Sequence, residues 1–219
     1  MRGVMTAAAL GMLAAGCAAT GEDRPVMRAL LERRSIRRYQ QRPIPDAALR
    51  EIVRAGTYAP SSNNRQGWRF IAVRDAAKVA AMNDILGLGP NEKTGADERP
   101  VAHIVVLIPP GGKGGTDVDA AAAVENILLA AHELGIGSCW RASFQPRKVS
   151  ALLAVPPEWE AFAVVTLGYP AQEAVAVEAD DTKVIGEDAD RVEVHKNPLD
   201  TLMAVDGYTW KDAPTAARE

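Results

Sequence analysis

Four arginines fall within six residues in Arg33-Arg34-Ser35-Ile36-Arg37-Arg38, with a hydroxyl among them. Guanidinium forks match phosphate oxygens in bidentate fashion, and Ser35 adds a short donor. The same residues also suit a solvated basic helix end, where arginine favours the last turn. A second segment, Pro60-Ser61-Ser62-Asn63-Asn64-Arg65-Gln66, is dense in amides, which both donate and accept. That chemistry fits a heterocycle edge alternating carbonyls with an N–H; an ordinary turn-rich loop has the same composition. The third segment runs from Leu134 through Gly135-Ile136-Gly137-Ser138-Cys139-Trp140-Arg141-Ala142-Ser143 to Phe144. Glycines after a helix let a planar ligand approach the backbone, or simply stop the helix with Trp140 in the core. Cys139 has no base near it in sequence, which argues against a nucleophile.

The remaining chemistry is sparse. His103, His132 and His195 are scattered, and Cys17 and Cys139 sit in no ligand spacing, so no metal site is expected. The net charge of −3 gives no global attraction to nucleic acid. An anionic ligand must therefore be held by a local cluster of cations. The 219 residues, 47% hydrophobic and 24% charged, suffice for one globular core with additional tails.

The elements that must position these segments are legible in outline. Asp23 and Pro25 mark a helix start, and Met27, Leu30 and Leu31 follow at helical spacing. Asp46 is the expected cap of a second helix with Leu49, Ile52 and Val53 on its apolar stripe, ending near Gly56. Residues 69–74 read as a strand, 76–82 as a helix, 104–108 as a buried strand and 146–153 as a short helix. Residues 87–99 and 111–116 read as mobile loops. The strongest helix is expected over 118–134, with Val124, Ile127, Leu128, Ala131 and Leu134 on one face and Gly135 as its stop. Another buried strand spans 161–167. The last fifty residues read as polar and irregular, wrapping over a surface.

Identity and order of the segments resemble the nitroreductase family of FMN-dependent enzymes, over about Met27 to Leu202. The matching motifs are Arg33-Arg34-Ser35-Ile36-Arg37-Arg38-Tyr39, Pro60 through Trp68, the helix from Ala122 with its exit at Cys139-Trp140, and Leu167-Gly168-Tyr169-Pro170. The resemblance implies an α+β fold: a central mixed or antiparallel sheet flanked by helices as a three-layer sandwich, with FMN at a homodimer interface. It implies that Arg33, Arg34, Ser35 and Arg37 contact FMN. It implies that Pro60, Ser61, Ser62, Asn64 and Gln66 reach the flavin bound mainly by the other subunit. Ala142 and Ser143 would lie against the flavin's reactive nitrogen. Lys196 keeps the place of a phosphate-binding cation, whereas Asn197 stands where the family often has Arg and Gly67 where it usually has Pro.

The implied activity is ping-pong hydride transfer from NADH or NADPH through FMN to a nitroaromatic, quinone or related small acceptor. No catalytic side chain is required, because the cofactor carries the electrons. Dehalogenation, ene reduction and flavin fragmentation remain alternatives within the family, as does a non-catalytic flavin-binding envelope protein outside it.

Residues 1–22 read as a leader and tether ahead of a domain over 23–202, with 203–219 as a tail. Arg2, the apolar run from Val4 to Ala15 and Gly16-Cys17 resemble a secretion signal ending in a lipoprotein-type cysteine. Lipidated Cys17 would attach the protein to a bacterial envelope membrane, a location slightly favoured over the cytoplasm. The alternative is a translation start at Met27.

Overall fold

The computed structural model describes residues 24–88, 95–186 and 189–207. The leader, Cys17 and Asp23 lie outside these residues, as does most of the tail. Among the described residues, no helix is long and apolar enough to cross a membrane.

The chain opens with α1 (Pro25–Glu32), with Pro25 in its first turn as expected and Arg24 at the cap position. It then forms β1 (Tyr39–Gln40), α2 (Asp46–Thr57), β2 (Arg69–Val73), α3 (Ala76–Ile85), β3 (Ala102–Ile108) and α4 (Thr116–Glu133). β4 (Gly137–Arg141), α5 (Pro146–Leu152) and β5 (Glu160–Pro170) complete the main body. Pro45, not Asp46, holds the cap position of α2; Asp46 sits inside the first turn, where its charge still suits the helix dipole.

All the main-sheet ladders are antiparallel. β5 is central, with β3 and then β2 on one side, and with β4 and β1 end to end on the other. Alternation along β3 builds two cores. Ile104, Val106 and Ile108 pack toward Ile52, Val124 and Ile127 of α2 and α4. Val105 and Leu107 pack with Val79 and Met82 of α3 and Val149 of α5. The sheet is thus covered on both faces, giving the three-layer α+β sandwich. A register shift between Val106 and Leu107 skips Phe162 on β5, so Phe162 and Ala163 both serve the α2/α4 core.

Two regions differ from expectation. The glycine-rich exit of α4 is not merely a helix stop, because Gly137–Arg141 pairs with β5 as β4. The last fifty residues are not wholly irregular. β6 (Glu173–Glu178), β7 (Val184–Ile185) and β8 (Arg191–Lys196) form a second sheet, with β6 parallel and β7 antiparallel to β8. A short α6 (Leu199–Leu202) follows. Of the expected 87–99 loop, residues 89–94 lie outside the described set, and Ala96–Glu98 forms a 3-10 turn.

Candidate cofactor site

After α1 the chain runs extended along the sheet edge. Ser35 bridges Ser138 in parallel, and the Ile36 N–H donates to Ser138 O at 2.9 Å. Two glycines make this close approach feasible. A Cβ on Gly137 would stand 2.9 Å from Ile36 Cβ, and one on Gly168 would stand 2.7 Å from the Tyr39 ring. The backbone is therefore bare for the chain's own segment. Tyr39 is fully buried; its hydroxyl donates to Ile36 O and lies 2.8 Å from Thr166 Oγ1. Burial pushes its pKa up, so it remains a neutral anchor.

This anchoring presents the arginines. Arg33 Nε lies 3.3 Å from Glu125 Oε1 on α4, too misaligned to count as a hydrogen bond. Arg34 folds back on α1, donating to Arg33 O and, at 2.6 Å, to Leu31 O. The Nε atoms of both arginines are buried without a hydrogen-bond partner. Burial, and then the neighbouring Arg33 charge, lower the Arg34 pKa. A cavity of about 250 Å³ opens beside them, lined also by His132, Gly135, Ser138 and Gln172. Arg38 is engaged elsewhere, donating to Glu98 at 2.8 Å and to Asp190 at 3.0 Å. That pairing raises the Arg38 pKa and holds Glu98 below the usual carboxylate range.

The amide-rich loop is built from α4 as well. The buried Asp119 carboxylate accepts the Ser62 N–H at 3.0 and 3.1 Å. Ser61 Oγ accepts the Gln66 N–H at 3.0 Å, and Gln66 Nε2 donates to Asn64 Oδ1 at 3.1 Å. Asn63, Asn64 and Gln66 take φ values of 52°, 55° and 48°, each costing on the order of 1 kcal/mol in a non-glycine residue. Pro60, Ser62, Asn64 and Gln66 are exposed, and Ser61 is half-buried. Gly67 packs against α4: a Cβ there would come within 2.8 Å of Thr116 Cγ2.

The structure brings Arg33, Arg34, Ser35 and Arg37 onto one continuous segment. Among the described residues, the cavity lining includes neither the 60–66 loop nor Ala142, Ser143 or Lys196. Ala142 and Ser143 are exposed just beyond β4, and Lys196 is exposed at the end of β8. No group of His, Cys, Asp or Glu suited to a metal occurs among the described residues. Sequence reasoning missed Asp119 and Gln172, which hold the two candidate segments by hydrogen bonds, and Glu125, whose carboxylate lies beside Arg33. Asp119 and Glu125 were visible only as two of several polar positions on the long helix, and Gln172 gave no signal.

Comparison with known proteins agrees with this architecture. The sequence profile described as "Nitroreductase family" matches residues 30–169. An Archaeoglobus fulgidus protein, provisionally named NADH dehydrogenase/NAD(P)H nitroreductase, is 39% identical over 71% of this chain and 91% of its own length. A Thermus thermophilus NADH dehydrogenase is 33% identical over 66% of this chain and 86% of its own. The crystal structure of a Bacteroides fragilis nitroreductase with bound FMN matches at a TM-score of 0.57 and 30% identity, covering 72% of this chain and 94% of that one. This chain belongs to the nitroreductase family.

Proposed function

We propose that this protein is an FMN-dependent NAD(P)H oxidoreductase that works as a homodimer. The observation that carries the reading is the pair Arg33 and Arg34, with buried and unbonded Nε atoms beside a cavity at the C-terminal end of α4. Arg33 has Glu125 beside it and Arg34 donates to backbone carbonyls, and the two Nε donors left unbonded are available to a phosphate. When bound, FMN supplies two-electron redox chemistry between NADH or NADPH and a small acceptor such as a nitroaromatic or a quinone.

The chain's own residues bind and orient. Arg33 and Arg34 take the phosphate oxygens, with Lys196 adding a cation. Ser35 and Arg37 line the path from phosphate toward the ring. Ala142 and Ser143 offer backbone groups on an exposed bend, where a planar ring can lie against them. Asn64 and Gln66 offer amide edges, and their absence from the Arg33 cavity fits delivery to a site on a second copy.

The test is an absorption spectrum of the purified protein mixed with FMN, before and after anaerobic NADH or NADPH. Bound flavin bands near ~450 nm that bleach with either nucleotide support the reading. A protein that neither carries nor takes up FMN rejects it.

A further inference from the structure

We infer that Gln172 is the positioning residue of the cofactor seat, an inference that rests on the proposed binding of FMN by the 33–37 segment. Gln172 follows β5, far from that segment in sequence, yet its single Oε1 accepts two successive backbone N–H groups, Arg37 at 2.8 Å and Arg38 at 2.9 Å. The residue is 8% exposed. The preceding Ala171 N–H donates to Arg38 O at 3.0 Å, so residues 171–172 grip the segment from both its donor and its acceptor side.

The grip acts between two backbone anchors. Upstream, Ile36 is bonded to Ser138 O; downstream, Tyr39 enters β1 and pairs with Pro170. Between them, the Arg37 and Arg38 N–H groups point to one side-chain oxygen. Two convergent N–H groups require a strong acceptor, and a buried N–H deprived of one carries the full desolvation penalty. Removing Oε1 takes the acceptor from two successive, part-buried N–H groups and lets the 37–38 backbone turn toward water. That rotation re-aims the Arg37 side chain and shifts Ser35 relative to Arg33. Gln172 also lines the Arg33 and Arg34 cavity, so its movement would be felt at the phosphate end as well. It touches the seat through the backbone, and it is assigned no part in chemistry.

Three proteins separate the possibilities: wild type, Gln172→Leu and Gln172→Glu, each titrated with FMN and examined by visible circular dichroism at saturation. Leucine keeps the approximate volume and removes the acceptor; glutamate keeps an acceptor oxygen. The expected result is a roughly 10- to 100-fold weaker FMN affinity for Gln172→Leu, with an altered flavin dichroism. Gln172→Glu should retain the wild-type dichroism, because the ring still sits as before. A folded Gln172→Leu protein with wild-type affinity and dichroism overturns the inference. So do leucine and glutamate variants altered alike, which would assign Gln172 to packing alone. If wild type itself takes no FMN, the cofactor reading falls first and the inference with it. Should the leucine variant fail to fold, Gln172→Asn withdraws the same oxygen by one methylene and carries the same expected outcomes.

Discussion

Arg33 combines a buried Nε with one imperfectly aligned carboxylate, Glu125, so its charge is only partly compensated inside the chain. An anionic ligand gains most from such a residue. Arg33→Ala should weaken FMN binding by about 1.5–3 kcal/mol, the range for a hydrogen bond to a charged group. Fluorescence titration measures this directly, and unchanged affinity removes Arg33 from the site. Asp119 poses a different question, since its carboxylate is buried and holds the Ser62 N–H. Asp119→Asn keeps an acceptor oxygen and should preserve FMN content, whereas Asp119→Ala should release the 60–66 loop and lower it. Equal flavin content in all three proteins would show that the loop's shape does not need Asp119.

At the scale of elements, α4 is the organiser. It carries Asp119 under the amide loop and Glu125 beside Arg33, roughly 9 Å apart along the axis at 1.5 Å per residue. The helix, the two buried strands and the motif segments were legible because they are long, periodic or chemically dense. β4 was not, since Gly137-Ser138 looks like a loop until Gly168 on β5 faces it. The second sheet was missed although Val192 and Val194 flank Glu193 on β8 and Ala174 to Val177 form an apolar run on β6; six-residue strands amid charge carry little hydrophobic signal. The links from Gln172 to Arg37 and Arg38 join residues 134 and 135 positions apart, beyond any local pattern.

An element-level prediction concerns His103 on β3. It is fully buried, and burial lowers its pKa to about 4. An unfolded chain binds a proton at about 6.5, so its neutral form is favoured by folding. The stability His103 allows is intact above pH 6.5 and is lost as pH falls from there through about 4. Thermal midpoints of wild type should drop across this window, and those of His103→Leu should drop less. Parallel curves would mean that His103 is not the titrating group.

The whole molecule carries its apolar exposure unevenly. Val26 and Leu31 on α1, Val118 on α4, and Leu199, Leu202, Met203 and Val205 near the C-terminal end all expose more than half of their surface. Such surface suits association with a second copy. The 60–66 loop is held at the far end of α4 from the Arg33 cavity, so under the proposed function it would reach a flavin across that association. The leader expected from the sequence is a separate proposal about location, tested by mass spectrometry of the native protein: acylated Cys17 supports export, and an unmodified Met1, Met5 or Met27 terminus rejects it.

Subunit mixing tests the proposed sharing of a site most sharply. If each flavin is held by Arg33 of one copy and Asn64 of the other, Arg33→Ala and Asn64→Ala homodimers are defective at both sites. In a mixed dimer the two lesions fall together at one site. The other site draws its Arg33 from the Asn64→Ala copy and its Asn64 from the Arg33→Ala copy, and is wholly wild type. Random exchange makes about half of the dimers mixed, so about a quarter of all sites should regain wild-type FMN affinity. If both residues served a flavin within one chain, every site would keep one lesion whatever the mixture, and no tight fraction would emerge. A titration of the mixed sample that stays monophasic and weak, after exchange has been verified by mass, therefore places Arg33 and Asn64 on the same chain's cofactor.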